Sequence, residues 1–445
     1  MPGILLKEID GNNNIASGYI KVLYHADLFQ SFPMPSHTIS SAAGAVASGQ
    51  PSPSLAPDRL PALVVAAASV ALFAVLATSI SPRQALLFLV GMALGVTLLH
   101  ASFGFTGGWK RMVLEHRSRA MRAQLIMVGL AAIAFFPLLT ASPIDGRALV
   151  GAMAPAGVAV GAGAAMFGIG MQLAGGCGSG TLFTVGGGSK RMLVTLAAFV
   201  IGALLGTAHL GWWLSLPSLG VFSLVNELGA PAGLALTLIG LGLVYWRVRG
   251  KEKRAHGEIE PLGMVPPASR GIGGWKRLVS GPWSLLTAAV ALAVLNVATL
   301  LLAGHPWSIT YAFGLWGAKL AQAVGFPVGD WPFWQAGYNA RALNSSVLAD
   351  VTSVMNFGLL LGSALAATLA GRFALAQRIP VRGYAAAVLG GLLMGYGARV
   401  SFGCNIGALF SGIASGSLHG WLWFACAFAG SWLCVRYVRP ALKLD

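Results

Sequence analysis

The chain has 445 residues, of which 56% are hydrophobic and only 9% charged, against about 25% charged residues in an ordinary soluble domain. So little charge cannot cover a water-facing surface, and the mean hydropathy of +0.73 points the same way. The formal net charge of +16 would suit a nucleic-acid partner, but the basic residues fall in clusters between long apolar runs. That is the pattern of cytoplasmic loops in a multi-pass membrane protein, so no nucleic acid is expected.

Residues 1–58 are rich in Ser, Pro, Asn and Gly and lack the apolar run of a signal peptide. They read as a polar, disordered tail, with Met34 as an alternative start. From Leu60 onward, stretches long enough to span a bilayer, about 17–25 residues each, follow closely. They are 60–81, 84–105, 121–141, 150–174, 191–216, 230–248, 283–303, 307–324, 351–371, 383–403 and 418–438. A polar linker, 249–282, carries Arg249, Lys251, Lys253, Arg254, Arg270, Lys276 and Arg277 and is expected on the cytoplasmic side. It divides a first membrane repeat, 59–248, from a second, 283–445.

The halves resemble each other. Gly168-Ile-Gly170 is followed by Gly176-Cys177-Gly178-Ser179-Gly180-Thr181-Leu182-Phe183, and Gly395-Tyr-Gly397 by Gly403-Cys404-Asn405-Ile406-Gly407-Ala408-Leu409-Phe410, at a constant spacing of 227 residues. A second pair, Gly95–Leu98 with Gly107–Trp109 against Gly317–Leu320 with Gly329–Trp331, lies at a spacing of 222. Two pairs in the same order mark an internal repeat. If all stretches crossed, the basic clusters Arg372/Arg378/Arg382 and Arg436/Arg439/Lys443 would fall outside. Treating 307–324 and 84–105 as re-entrant returns them to the cytoplasm. The expectation is an all-α polytopic protein of about nine spans plus re-entrant segments, in two inverted repeats.

Both cysteines of the repeated motif lie in glycine-dense breaks after an apolar helix. Irregular backbone at membrane depth is stable only where it is buried in protein or lines a cavity, and in inverted-repeat transporters such breaks form the substrate site. The predicted pathway therefore comprises Cys177 and Cys404 with Gly175, Gly176, Gly178, Gly180, Gly403, Asn405 and Gly407. Free backbone N–H groups there attract anions, and glycine admits a ligand close to the backbone. Lys319 and Arg399 are charges inside apolar stretches, which default to functional roles, and both could supply positive potential. The bland alternative is that the cysteines are small packing residues; that is the reading for Cys426 and Cys434, which lack repeat symmetry. His100 and His209 read as structural, and the tryptophans at stretch ends as interfacial belts.

Absences narrow the class. Four cysteines without a CxxC pair or a His/Cys ladder exclude a disulfide scaffold and a zinc ribbon. No Asp or Glu lies mid-stretch, which argues against a carboxylate proton relay or a Na⁺ site. Gly186-Gly187-Gly188-Ser189-Lys190 lacks the GxxxxGK[ST] spacing of a nucleotide-binding loop. Neither an HExxH motif nor a haem signature occurs, so no enzymatic activity, metal or cofactor is expected.

A GC motif in each of two glycine-rich repeats, on about nine spans, resembles the YeeE/YedE family, over roughly Arg83 to Tyr437. The resemblance implies inner-membrane uptake of thiosulfate or a related sulfur or selenium species. In such a mechanism central cysteines, here Cys177 and Cys404, pass the anion along by S–H contacts to its terminal sulfur. It also implies a small cytosolic sulfur-carrier partner of the TusA-like type. Thiosulfate-transporting members use a third cysteine upstream of the second GC motif; residues 325–350 here offer Tyr338, Asn339, Arg341, Asn344 and Ser345 instead. The alternatives are a passive channel for a small solute and a membrane sulfur-transfer subunit.

Overall fold

The computed structural model describes residues 59–144, 146, 148–265, 274–373 and 379–444. The tail at 1–58 lies outside them, as do Arg270 and Arg378. The described chain is almost wholly helical. It opens with α1 (Arg59–Val75), extended by a π-helical turn to Ile80, and α2 (Pro82–Ala101). The Ser81 hydroxyl caps α2 by accepting from the Gln84 amide, with Pro82 at the first helical position. A turn at 102–104 leads into the short α3 (Phe105–Leu114), then α4 (Arg119–Thr140), α5 (Val158–Ala174), the short α6 (Gly178–Gly186), α7 (Lys190–Leu214) and the long α8 (Leu224–His256). The second half holds α9 (Gly274–Ser280), α10 (Leu285–Ala303), α11 (Thr310–Ala323), α12 (Gly337–Asn344), α13 (Val351–Leu369) and α14 (Val381–Val400). A π-helical segment, Asn405–Phe410, then runs into α15 (Ser411–Ala414), followed by α16 (Leu418–Leu433) and α17 (Arg439–Ala441). Strands β1 (Pro155–Gly157) and β2 (Ser218–Val221) pair antiparallel.

Among the described residues ten helical elements are long and apolar enough to cross a membrane, against about nine expected. The extra one is Pro82–Leu114. Most of the stretch 84–105, expected to be re-entrant, is the 20-residue α2, and the short returning element is α3. Two glycines seat α2 closely on α13. A Cβ at Gly91 would lie 2.4 Å from the Met355 carbonyl oxygen and one at Gly95 2.2 Å from that of Leu359, so α2 rests backbone to backbone on α13. By contrast 307–324 yields α11, whose 14 residues are short of the roughly 20 needed for a span.

The linker also differs from expectation. α8 passes the boundary at 248 and continues to His256, because Glu252, completely buried, is bound by Arg122 and Ser118. The pair at a spacing of 222 does not mark equivalent elements. Gly95 lies on α2 against α13, whereas Gly317 lies on α11, where its Cβ would lie 3.0 Å from the Val200 carbonyl oxygen of α7. Short G-x-x-L matches recur wherever helices pack closely, and these two arise from that cause.

The spacing of 227 has a geometric counterpart. A Cβ at Gly163 would lie 2.7 Å from the Gly397 oxygen, and one at Gly170 2.7 Å from the Gly390 oxygen. Gly390 and Gly397 are the positions 227 residues after Gly163 and Gly170. Each contact maps onto the other when the halves are exchanged, as a two-fold relation requires, and the order of the contacts makes α5 and α14 antiparallel. Around this crossing α7 packs on α14 and α16 on α5, again as exchanged mates.

Gly168 sits on the α5–α16 contact, where a Cβ would lie 2.1 Å from the Ala427 carbonyl oxygen. Gly168→Ala gains helix propensity but forces the helices apart, an overpacking that costs about 1–3 kcal/mol. A lower thermal midpoint in detergent is the expected result, and an unchanged midpoint would show that the contact gives way freely.

Candidate functional site

The site forms where the antiparallel pair α5 and α14 ends. α5 stops at Gly175, whose φ of +82° is the left-handed conformation that favours glycine at a helix C-terminus. Two residues on, Cys177 is the N-cap of α6, and its sulfur accepts from the Gly180 amide at 3.4 Å. α14 ends likewise. The chain turns through Phe402 (φ 60°) and Gly403 (φ +155°), and Cys404 caps the 405–410 segment, its sulfur accepting from the Ile406 amide at 3.4 Å. A thiol thus occupies each position where serine or aspartate ordinarily caps a helix.

The two caps meet. A Cβ at Gly178 would lie 3.2 Å from the Cys404 sulfur and 3.7 Å from Thr310 Cγ2. One at Gly180 would lie 3.3 Å from the Cys177 sulfur, and one at Gly407 3.4 Å from Ser308 Oγ. These glycines leave open the space beside the sulfurs that any side chain would fill. Gly176 faces Thr181, with 3.5 Å between its Cβ position and the Thr181 hydroxyl. Cys177 is 1% exposed and Cys404 is fully enclosed.

Beside Cys404, Asn405 is fully buried and neither its Oδ1 nor its Nδ2 has a hydrogen-bond partner; the buried Thr181 hydroxyl also lacks one. An unpaired buried amide costs about 1–3 kcal/mol, and such groups ask for an explanation. The centre therefore offers two S–H donors, an amide with donor and acceptor unsatisfied, and small hydroxyls. That set suits a ligand with polar oxygens and a soft sulfur.

The charges sort differently. Lys319 Nζ donates to the carbonyls of Leu343 at 2.7 Å and Ser345 at 2.6 Å, so it closes the end of α12 and is not drawn to the thiols. Arg399, on the last turn of α14, is half-buried, with its guanidinium over the rings of Phe333 at 4.9 Å and Tyr311 at 5.7 Å. At the end of α5, Arg191 donates to the Leu173 carbonyl at 3.0 Å and Arg439 to that of Gln172 at 2.8 Å. Basic groups there satisfy the last carbonyls of the helix. Sequence reasoning missed Ser308, just before α11, Thr310 and Tyr311 on α11, and Phe333 in the segment after it, and no local sequence signal marked them. Cys434 is buried, and Cys426 lies 3.6 Å from the Cβ position of Gly161, a packing contact of α16 on α5.

Ten apolar helical elements around a buried two-thiol centre define a polytopic membrane protein. The profile of the sulphur transport family matches residues 100–433, and the chain belongs to that family, the YeeE/YedE proteins. It is 25% identical over 365 residues to the thiosulfate transporter TsuA of Escherichia coli, covering 79% of this chain and 94% of that protein. To TsuA of Spirochaeta thermophila it is 26% identical over 357 residues, 77% of this chain and 96% of the relative. A segment of 156 residues, 35% of the chain, is 31% identical to the probable transporter YedE of E. coli and spans 38% of that protein's length.

Proposed function

We propose that this protein carries a small sulfur-containing anion, thiosulfate or a related sulfur or selenium species, across a bacterial inner membrane along a path between Cys404 and Cys177. The observation that carries this reading is the unpartnered amide of Asn405 next to Cys404, whose sulfur lies 3.2 Å from the Cβ position of Gly178, the residue after Cys177. Family membership and the named thiosulfate transporters among the relatives support it. Polarisable S–H groups suit a terminal sulfur, and the amide and the backbone N–H groups at the two breaks suit its oxygens. On this reading 59–248 and 283–445 are the two repeats, joined by the cytoplasmic segment 249–282 and embedded in the lipid bilayer. A small TusA-like sulfur carrier receives the cargo inside.

Growth of a sulfur-auxotrophic bacterium on thiosulfate as the one sulfur source, with and without this gene, tests the substrate class; no gene-dependent growth on any sulfur or selenium anion would overturn it. Asn405→Leu separates binding from folding. It removes an unpaired buried amide that costs about 1–3 kcal/mol, so the variant is expected to melt no lower than the wild type while uptake falls sharply. A variant with normal uptake would place the amide outside the path.

A further inference from the structure

Arg399 is placed for more than packing. Its guanidinium carbon lies over two aromatic rings, and among the described residues none accepts a hydrogen bond or an ion pair from it. A cation–π contact holds the charge over the ring without accepting a conventional hydrogen bond from its N–H groups. The seat itself is fixed by one side chain. Asn339 Oδ1 accepts from the Tyr311 hydroxyl at 3.0 Å, and Asn339 Nδ2 donates to the Phe333 carbonyl at 3.0 Å. Asp350 is occupied by the Tyr338 hydroxyl at 2.7 Å and the Ser353 amide at 2.7 Å and forms no ion pair with the arginine. Tyr311 is adjacent in the chain to Thr310, whose methyl faces the Gly178 and Cys404 centre. The arginine seat and the thiol centre thus draw on consecutive residues of α11. At the opposite break the arginine is already committed, since Arg191 donates to a helix carbonyl.

We propose that Arg399, seated on Phe333 and Tyr311, is an outer anion-binding site that takes the oxyanion end of the substrate before its sulfur reaches Cys404. The inference rests on the transport reading above and specifies how the anion is captured and where selection by charge occurs. The planar guanidinium fork binds two oxygens of a tetrahedral sulfur oxyanion side by side. Asn339 is a positioning residue that acts through the two rings.

Two measurements on the purified full-length protein test this. Equilibrium binding of thiosulfate, with sulfate as competitor, reads the outer site without requiring transport, because sulfate has oxygens but no terminal sulfur for the thiols. Arg399→Gln is expected to weaken binding of both anions by about tenfold to a hundredfold, the size of one charge-assisted hydrogen-bonded contact. Cys404→Ser is expected to keep sulfate binding intact. In proteoliposomes Arg399→Gln is expected to raise the half-saturating thiosulfate concentration by a similar factor while the maximal rate stays within about twofold. Arg399→Lys is expected to recover less than half of the lost affinity, lacking the fork. Phe333→Leu, which keeps bulk and loses the ring face, is expected to weaken binding less than Arg399→Gln does, and a matching thermal midpoint shows that it folds. Unchanged anion affinity in folded Arg399→Gln overturns the proposal. A wild type that binds anions through Arg399 yet takes none up would sink the transport reading and leave the site standing.

Discussion

Serine at position 177 or at position 404 is expected to reduce thiosulfate uptake to background without unfolding the protein. The substitution changes one atom. Serine is a better N-cap than cysteine, so its hydroxyl takes over the bonds from the Gly180 and Ile406 amides now received by sulfur at 3.4 Å. The short helices at both breaks therefore keep their caps, and the fold is retained. What disappears is the polarisable S–H group and the option of a thiolate. Labelled thiosulfate uptake into proteoliposomes, beside the thermal midpoint of each variant, separates the two effects. A passive channel, in which the cysteines only pack, would pass nearly normal flux in both variants. A sulfur-transfer subunit would leave a persulfide on Cys404 visible by mass spectrometry, whereas a transporter delivers intact labelled thiosulfate to the lumen. Two variants that fold and transport normally would remove the thiols from the mechanism.

Removing the charge of Arg122 is expected to destabilise the protein by about 3–5 kcal/mol, the usual penalty for breaking a buried ion pair on one side. Glu252 is fully enclosed and Arg122 is 3% exposed, with Arg122 Nη2 at 3.2 Å from Glu252 Oε2. Ser118 donates to the same carboxylate and accepts from Arg122 Nε at 2.9 Å, and the Glu260 amide reaches the other oxygen at 3.2 Å. Arg122→Met leaves a buried carboxylate with its hydrogen-bond donors and only the looser charge of the part-exposed Arg117, whose Nη1 lies 3.8 Å from Glu252 Oε1. Combining it with Glu252→Leu removes both charges and should return most of the stability, since a buried pair exchanged for apolar side chains is often neutral. Denaturant unfolding in detergent of the two single variants and the double variant measures the coupling. If Arg122→Met is no less stable than the double variant, the pair contributes nothing. The network ties the end of α8 and the following segment to the start of α4, so its loss is also expected to expose 257–265 to proteolysis.

Much of this architecture is written in residue type. Hydropathy placed most long helices within a few residues, because apolar runs between basic clusters have few alternative structures. The GC motif located the breaks before α6 and α15, since glycine next to a capping residue is a local signal. Features that depend on a distant partner were not legible. Nothing in the run from Arg249 to His256 shows that Glu252 finds Arg122, so a continuing helix read as a loop. The expected re-entrant dip at 84–105 came from charge bookkeeping, which counts crossings but does not locate turns; the turn sits at Ser102. Lys319 and Arg399 looked alike as charges in apolar sequence. Only packing distinguishes them, since Lys319 is consumed by two carbonyls while Arg399 rests on aromatic faces.

The glycine crossing of α5 and α14 has a consequence for hydration. Where Gly163 meets Gly397 and Gly170 meets Gly390, main chain touches main chain, and no side-chain rotamer intervenes to swing aside. The spacing of α5 and α14 at this crossing is therefore fixed, and the thiols beyond their ends are buried from solvent. On the proposed transport reading, an anion going through must leave its water shell behind. A sulfate-like ion carries that shell on every face, and thiols are poor replacements for it. An ion with a soft, weakly hydrated sulfur at one end sheds less and meets groups suited to that end, so the rigidity of the crossing doubles as a filter on the energy of dehydration.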